Sequence, residues 1–129
     1  MRWIWMSFFL VACVDRDMPE PDEGGLLFAE NCVACHGASG RGDGPLATSL
    51  DPAPADLTTL FARGYDRTKI LSIIDGYQRD GHTPMPEFGA VLEGDLVPVK
   101  LSDGSLSPVP RPLAALLFYL EDLQTEPPS

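Results

Sequence analysis

Two cysteines stand three positions apart in "NCVACHG", residues 31–37, and a histidine follows the second at once; nothing else in the chain limits its fold as tightly. On a helical turn, residues at i and i+3 share a face, so Cys32 and Cys35 must present their sulfurs to one common object. A pair so spaced serves as a redox dithiol, as half of a zinc site, or as the anchor of something larger. The rest of the chain has to separate these.

With 129 residues there is room for one core and one active centre. The 13 prolines and 12 glycines imply a loop-rich chain, and a small loop-rich domain needs a staple beyond its own apolar packing.

The N-terminus reads as a signal peptide over residues 1–12. Arg2 is followed by an uncharged run from Trp3 to Ala12, about half of the roughly 20 apolar residues that a membrane-spanning helix needs. The residues "LVAC" that end it resemble the lipobox of bacterial lipoproteins, which makes Cys13 the expected lipidation site. An ordinary leader cleaved nearby, or one kept as an anchor, is the alternative. Residues 13–23 include "VDRDMPEPDE" and have no apolar periodicity, so they read as an acidic tether, leaving 24–126 as the folded domain.

Within that domain, Asp22 is the expected N-cap of a helix over 23–33, with Gly24, Leu27, Phe28, Asn31 and Cys32 on one stripe that Cys35 continues. Residues 42–54 form a glycine and proline loop. Asp66 or Thr68 starts a second helix that carries Ile70, Leu71, Ile73 and Ile74 inward and stops near Gly76. "RDGHTPMPEFG", residues 79–89, is another loop. A short hairpin around Asp103 and Gly104 is conceivable, although Pro98 limits it to an edge strand. The last helix runs over 112–123, with Leu113, Leu116, Leu117 and Leu120 at helical spacing. The expected class is all-α, about three main helices among long loops, with too little helix for a self-sufficient core.

Zinc asks for four Cys or His ligands, and His82 is the only other histidine; the adjacent Cys35 and His36 converge poorly on one ion. A dithiol oxidoreductase opens a helix after a strand of a βαβ unit, whereas this pair closes a helix and no parallel sheet is readable. The third possibility employs His36 as well: C-x-x-C-H is the attachment motif of c-type haem, each thiol adding across one vinyl group and the histidine serving as an iron ligand.

Here the chain resembles the small monohaem cytochromes c, over about residues 24–88 and again over 112–123. The likeness rests on "CVACH", on Gly24 and Phe28 upstream, on "GRGDGP" and "PAPADLT" after the motif, and on "LLFYL" in the last helix. The resemblance implies the small cytochrome c fold, one covalent haem c on Cys32 and Cys35, and His36 as an axial ligand. It also implies a methionine as the second ligand, and only Met85 lies outside the leader and tether. Its "TPMPEF" setting is similar to the family's ligand loop, and the flanking prolines stiffen it. The bland alternative is a gap-filling core methionine; His82 is the rival ligand.

Softer roles also come from the likeness. Pro45, or a neighbour, would offer a carbonyl to the other ring nitrogen of His36. Arg41, Arg63, Tyr65 and Arg79 would face the haem propionates, with solvated surface charge as the plain alternative for the arginines. Phe28 and Tyr119 would pack where the first and last helices cross, Gly24 allowing the approach.

The expected function is that of a non-enzymatic electron carrier between respiratory partners, lipid-anchored on the periplasmic side of a bacterial membrane or soluble there. A haem-bearing subunit of a larger respiratory or dehydrogenase complex, or a haem sensor or enzyme with an open iron, are the rivals. The net charge of −10 favours redox partners with a basic docking face and weighs against nucleic acid. The long stretch between Met85 and Pro112 departs from the short turn common in relatives.

Overall fold

The computed structural model describes residues 18–77 and 81–125. Helix α1 spans Pro21–Asn31 and α2 Val33–His36, with Cys32 as the joint between them. Then come α3 (Arg67–Asp75), strands β1 (Leu96–Lys100) and β2 (Leu106–Pro110), and α4 (Arg111–Asp122).

Helix α1 starts before the expected Asp22. Glu20 is its N-cap and donates its backbone N–H to the Glu23 carboxylate at 3.4 Å. Pro21 occupies the first turn, where no N–H is needed, and Asp22 and Glu23 complement the positive end of the helix dipole. Helix α3 begins at Asp66 as expected, its carboxylate accepting the Lys69 N–H at 2.8 Å. It ends at Gly76, whose φ of +111° lies where side chains other than hydrogen are strained.

The all-α expectation needs correction, because β1 and β2 pair antiparallel into a two-stranded sheet. The prolines that argued against it fall where they do no harm. Leu101 N–H donates to Ser105 O and Arg111 N–H to Asp95 O, both at 2.8 Å, which puts the odd-numbered residues in the hydrogen-bonded pairs. Pro98, Pro108 and Pro110 occupy the even positions, whose N–H would point away from the partner strand. They also blunt both outer edges against further strands. Val97, Val99 and Val109 turn inward and are buried.

The inner faces meet on α4. A Cβ on Gly24 would collide with the Ala115 carbonyl and lie 2.7 Å from Tyr119 Cβ, so only glycine lets α1 and α4 cross this closely. Phe28 and Tyr119 pack at 5.1 Å between ring centroids, as the sequence led one to expect. Leu92, Leu113, Leu116 and Leu117 belong to one buried cluster with Val97, Val99, Ile70 and Ile74, each contributing about 1.5–3 kcal/mol on burial. Arg67 of α3 joins three elements: it pairs with Glu121 through Nε (2.6 Å) and Nη2 (2.9 Å), and Nη1 donates to Lys100 O at 2.6 Å. Among the described residues no helix is long and apolar enough to cross a membrane.

Candidate functional site

Between the C-terminal half of α1, α3 and the C-terminal half of α4 the core opens into a cavity of about 350 Å³. Phe28, Ile70, Ile74, Leu116 and Leu120 form its apolar wall, and Asn31, Cys32, Cys35, His36, Tyr65, Thr83 and Met85 bring the polar or sulfur-bearing groups. Its size lies in the range of roughly 300–1,000 Å³ typical of cofactor pockets.

The thiols sit at and just after the joint between α1 and α2, and both line the cavity. The N–H groups of Cys35 and His36 both donate to Cys32 O, at 3.2 and 2.8 Å. After Gly37 the chain doubles back, and Gly42, Gly44 and Leu46 donate their N–H groups to the carbonyls of His36, Cys35 and Ala34 at 2.8, 3.1 and 2.9 Å. These bonds satisfy the orphan carbonyls of a single-turn helix, which would not persist otherwise. Gly44 is required: a Cβ there would lie 2.6 Å from the carbonyl oxygens of both Val33 and Ala34.

His36 is buried, and its Nδ1 lies 2.9 Å from the carbonyl oxygen of Ala55. A carbonyl only accepts, so Nδ1 carries a proton, and in the neutral ring the lone pair is then on Nε2. The expected carbonyl was that of Pro45 or a neighbour; Pro45 is exposed, and Ala55 in "PAPADLT" takes that role instead. That segment is held by Leu57 N–H donating to Gly40 O at 2.7 Å.

Cys32 and Cys35 are not joined in a disulfide. Burial, with the neighbouring Cys35 adding to it, pushes the Cys32 thiol up to about 11. An attacking dithiol needs the opposite, a thiol made acidic by its surroundings. Among the described residues no three His, Cys, Asp or Glu side chains gather where they could hold a metal ion, so Cys32, Cys35, His36 and His82 do not make a zinc site.

Met85 is half-buried and lines the cavity, whereas His82 is exposed and lies outside the lining. The Met85 N–H donates to Thr83 Oγ1 at 3.3 Å. Of the residues expected near propionates, Tyr65 lines the cavity, with the Lys69 ammonium 4.1 Å and the Arg63 guanidinium 5.4 Å from its ring centroid. Arg41 and Arg63 are not in the lining. Both act on Asp56, whose carboxyl is held below its ordinary value chiefly by the Thr58 hydroxyl, then by the Thr58 N–H, and to a lesser degree by these two arginines. Arg79 and Cys13 lie outside the described residues.

The donor set suits a flat iron-bearing macrocycle. One imidazole has a fixed tautomer and a free Nε2, one thioether reaches the same cavity, two thiols sit at the rim, and the wall is largely apolar. Sequence reading put Asn31 on the stripe of Cys32 and missed Ala55 and Thr83; "PAPADLT" was a visible signal for Ala55, but only the fold says which of its carbonyls meets His36.

Residues 19–97 match the family model described as cytochrome c oxidase, cbb3-type, subunit III. A search of curated proteins found no match. The family match ends inside β1, so β2 and α4 lie beyond it.

Proposed function

The chain belongs to the cytochrome c family, and from that premise we propose that it is an electron carrier with one covalent haem c, bound through Cys32 and Cys35 and ligated by His36 and Met85. A haem held there by His36 and Met85 would supply reversible one-electron exchange. The observation that carries the reading is the single cavity lined by Cys32, Cys35, His36 and Met85 together.

Each residue has a distinct task. The two thiols tether, each through one thioether. His36 would hold the iron through Nε2, with the Ala55 carbonyl orienting its ring and raising its basicity. Met85 offers a soft thioether, which favours the ferrous state. The wall of Phe28, Ile70, Ile74, Leu116 and Leu120 excludes water, which keeps reorganisation small.

The anchor is Cys13, lipidated and left as the mature N-terminus, with the next ten or so residues as a short tether on the periplasmic side of a bacterial membrane. The acidic balance of the chain, −10 over all 129 residues, would steer redox partners that present a basic face. A second reading is favoured by the matched family's own description: a haem-bearing subunit held in an oxidase-like complex. The chain beyond residue 97, with its hairpin face, would then be a contact region. Copurification from membranes in fixed stoichiometry with another chain supports that arrangement; a freely exchanging carrier supports the first.

Acidified acetone separates the possibilities for the cofactor. The protein made with haem-attachment machinery should retain its colour in the precipitate and cycle reversibly between two optical forms with dithionite and ferricyanide. The variant Cys32→Ser with Cys35→Ser should release its haem to the solvent. Loss of haem from the unaltered protein would refute covalent attachment.

A further inference from the structure

Residues 81–89, which carry Met85, rejoin the fold at the last turn of α3. At the end of α3 the N–H groups of Gly76 and Tyr77 both donate to Ser72 O at 3.0 Å. In the same turn Phe88 N–H donates to Ile74 O at 3.0 Å and Gly89 N–H to Asp75 O at 3.2 Å. The last carbonyls of α3 are thus capped by the loop's own return, and a helix terminus becomes a clasp.

Two glycines make the clasp close. A Cβ on Gly89 would stand 2.7 Å from Asp75 Oδ1 and 3.0 Å from the Asp75 carbonyl oxygen. A Cβ on Gly76 would stand 2.7 Å from Glu87 Cγ and 2.9 Å from its Cβ, on a residue whose φ is already +111°. Ile73 and Ile74, in the same turn of α3, line the cavity that Met85 lines. The neck is therefore one helical turn from the site, and a shift at Gly89 is delivered to Met85 through a short, proline-stiffened segment.

We propose that this neck, Gly89 against Asp75 and Gly76 against Glu87, is the positioning element that sets how firmly Met85 is held in the cavity. This rests on the reading of Met85 as the second axial ligand. The consequence is a gate: the tighter the neck, the more slowly a small outside ligand replaces the thioether. None of the four neck residues lines the cavity; they act through Met85.

Carbon monoxide binding to the dithionite-reduced holoprotein tests this, by stopped-flow on the unaltered chain, Met85→Ala, Gly89→Ala, and Gly89→Ala combined with Asp75→Ala. Met85→Ala should bind fast. Gly89→Ala should bind about tenfold faster than the unaltered protein, the factor that about 1.4 kcal/mol produces. The double variant, which removes the side chain that the new Cβ meets, should recover most of the slow rate, and that recovery also shows that the fold survives. If Gly89→Ala binds at the original rate while Met85→Ala is fast, the neck is not the gate. An equally fast double variant refutes the Asp75 side chain as the cause. If Met85→Ala binds no faster than the unaltered protein, the ligand assignment itself fails.

Discussion

His36 Nδ1 and the Ala55 carbonyl oxygen are 2.9 Å apart, a bond between the end of α2 and a segment nineteen positions later. It fixes both the tautomer and the plane of the imidazole. Gly42 lies underneath: a Cβ there would collide with the Pro54 carbonyl and lie 3.3 Å from Ala55 O, at a φ of +81°. Gly42→Ala should displace Ala55 and weaken its hold on His36. A less basic imidazole stabilises ferric iron less, so the reduction potential should rise, with a stability loss of about 1–3 kcal/mol. Spectroelectrochemical titration and urea unfolding of the holoprotein check both; an unchanged or lower potential would count against this role.

The crossing of α1 and α4 makes a second prediction. Gly24→Ala places its Cβ against backbone, the Ala115 carbonyl, and should cost about 3 kcal/mol, near the upper end of what overpacking usually costs. Gly25→Ala meets only the Tyr119 ring, at 3.2 Å, and gains helix propensity; it should stay within about 1 kcal/mol of the original. Urea midpoints of the two variants compare them directly.

Arg67 should matter more than Arg111. The Arg67–Glu121 pair has side chains 30% and 22% exposed, and its guanidinium also serves Lys100 O and stacks 5.8 Å from the Phe118 ring centroid. Glu23, opposite Arg111, is 44% exposed. Arg67→Met should cost about 1–2 kcal/mol and speed amide exchange in the hairpin. Arg111→Met should cost less than about 1 kcal/mol, a loss that salt further shrinks.

Asp56 gives the chain an acid limb. Its carboxyl is lowered by the Thr58 hydroxyl, at 2.6 Å, and then by the Thr58 N–H, at 2.8 Å. A lowered folded value means that its stabilisation is complete above the ordinary carboxylate range, near about 3.9, and is lost as pH falls through the lower folded value. Thr58→Val keeps the shape and removes the hydroxyl. It should lower the urea midpoint at pH 7 and flatten its decline below about pH 4; a decline as steep as the original's would show that Asp56 is not the group responsible.

How much of the fold was legible in the sequence depended on how local the cause was. Asp66 and Gly76 bound α3 as expected because caps act within one turn, and Gly24 and Phe28 meet α4 as expected because helical spacing puts them on one face. Pro98 misled, since a proline speaks against a strand only until the register is known, and the register follows from Asp95 and Arg111 closing the far end of the hairpin. Asp22 was the expected cap because aspartate is the commoner helix cap and the acidic, proline-bearing approach reads as extended, whereas the cap is Glu20 in reciprocal contact with Glu23. Ala55 could not be chosen over Pro45 by spacing, because the distance between His36 and its acceptor is set by how the 42–57 loop folds back under the ring.

Whether the iron sits between His36 and Met85 is tested most directly by the optical spectrum of the oxidised holoprotein. Spectra of the unaltered chain, Met85→Ala and His82→Ala should be recorded side by side at neutral pH. The unaltered protein and His82→Ala should share one low-spin, six-coordinate spectrum, and Met85→Ala should depart from it. An unchanged Met85→Ala spectrum, or a change confined to His82→Ala, would contradict that placement of the iron.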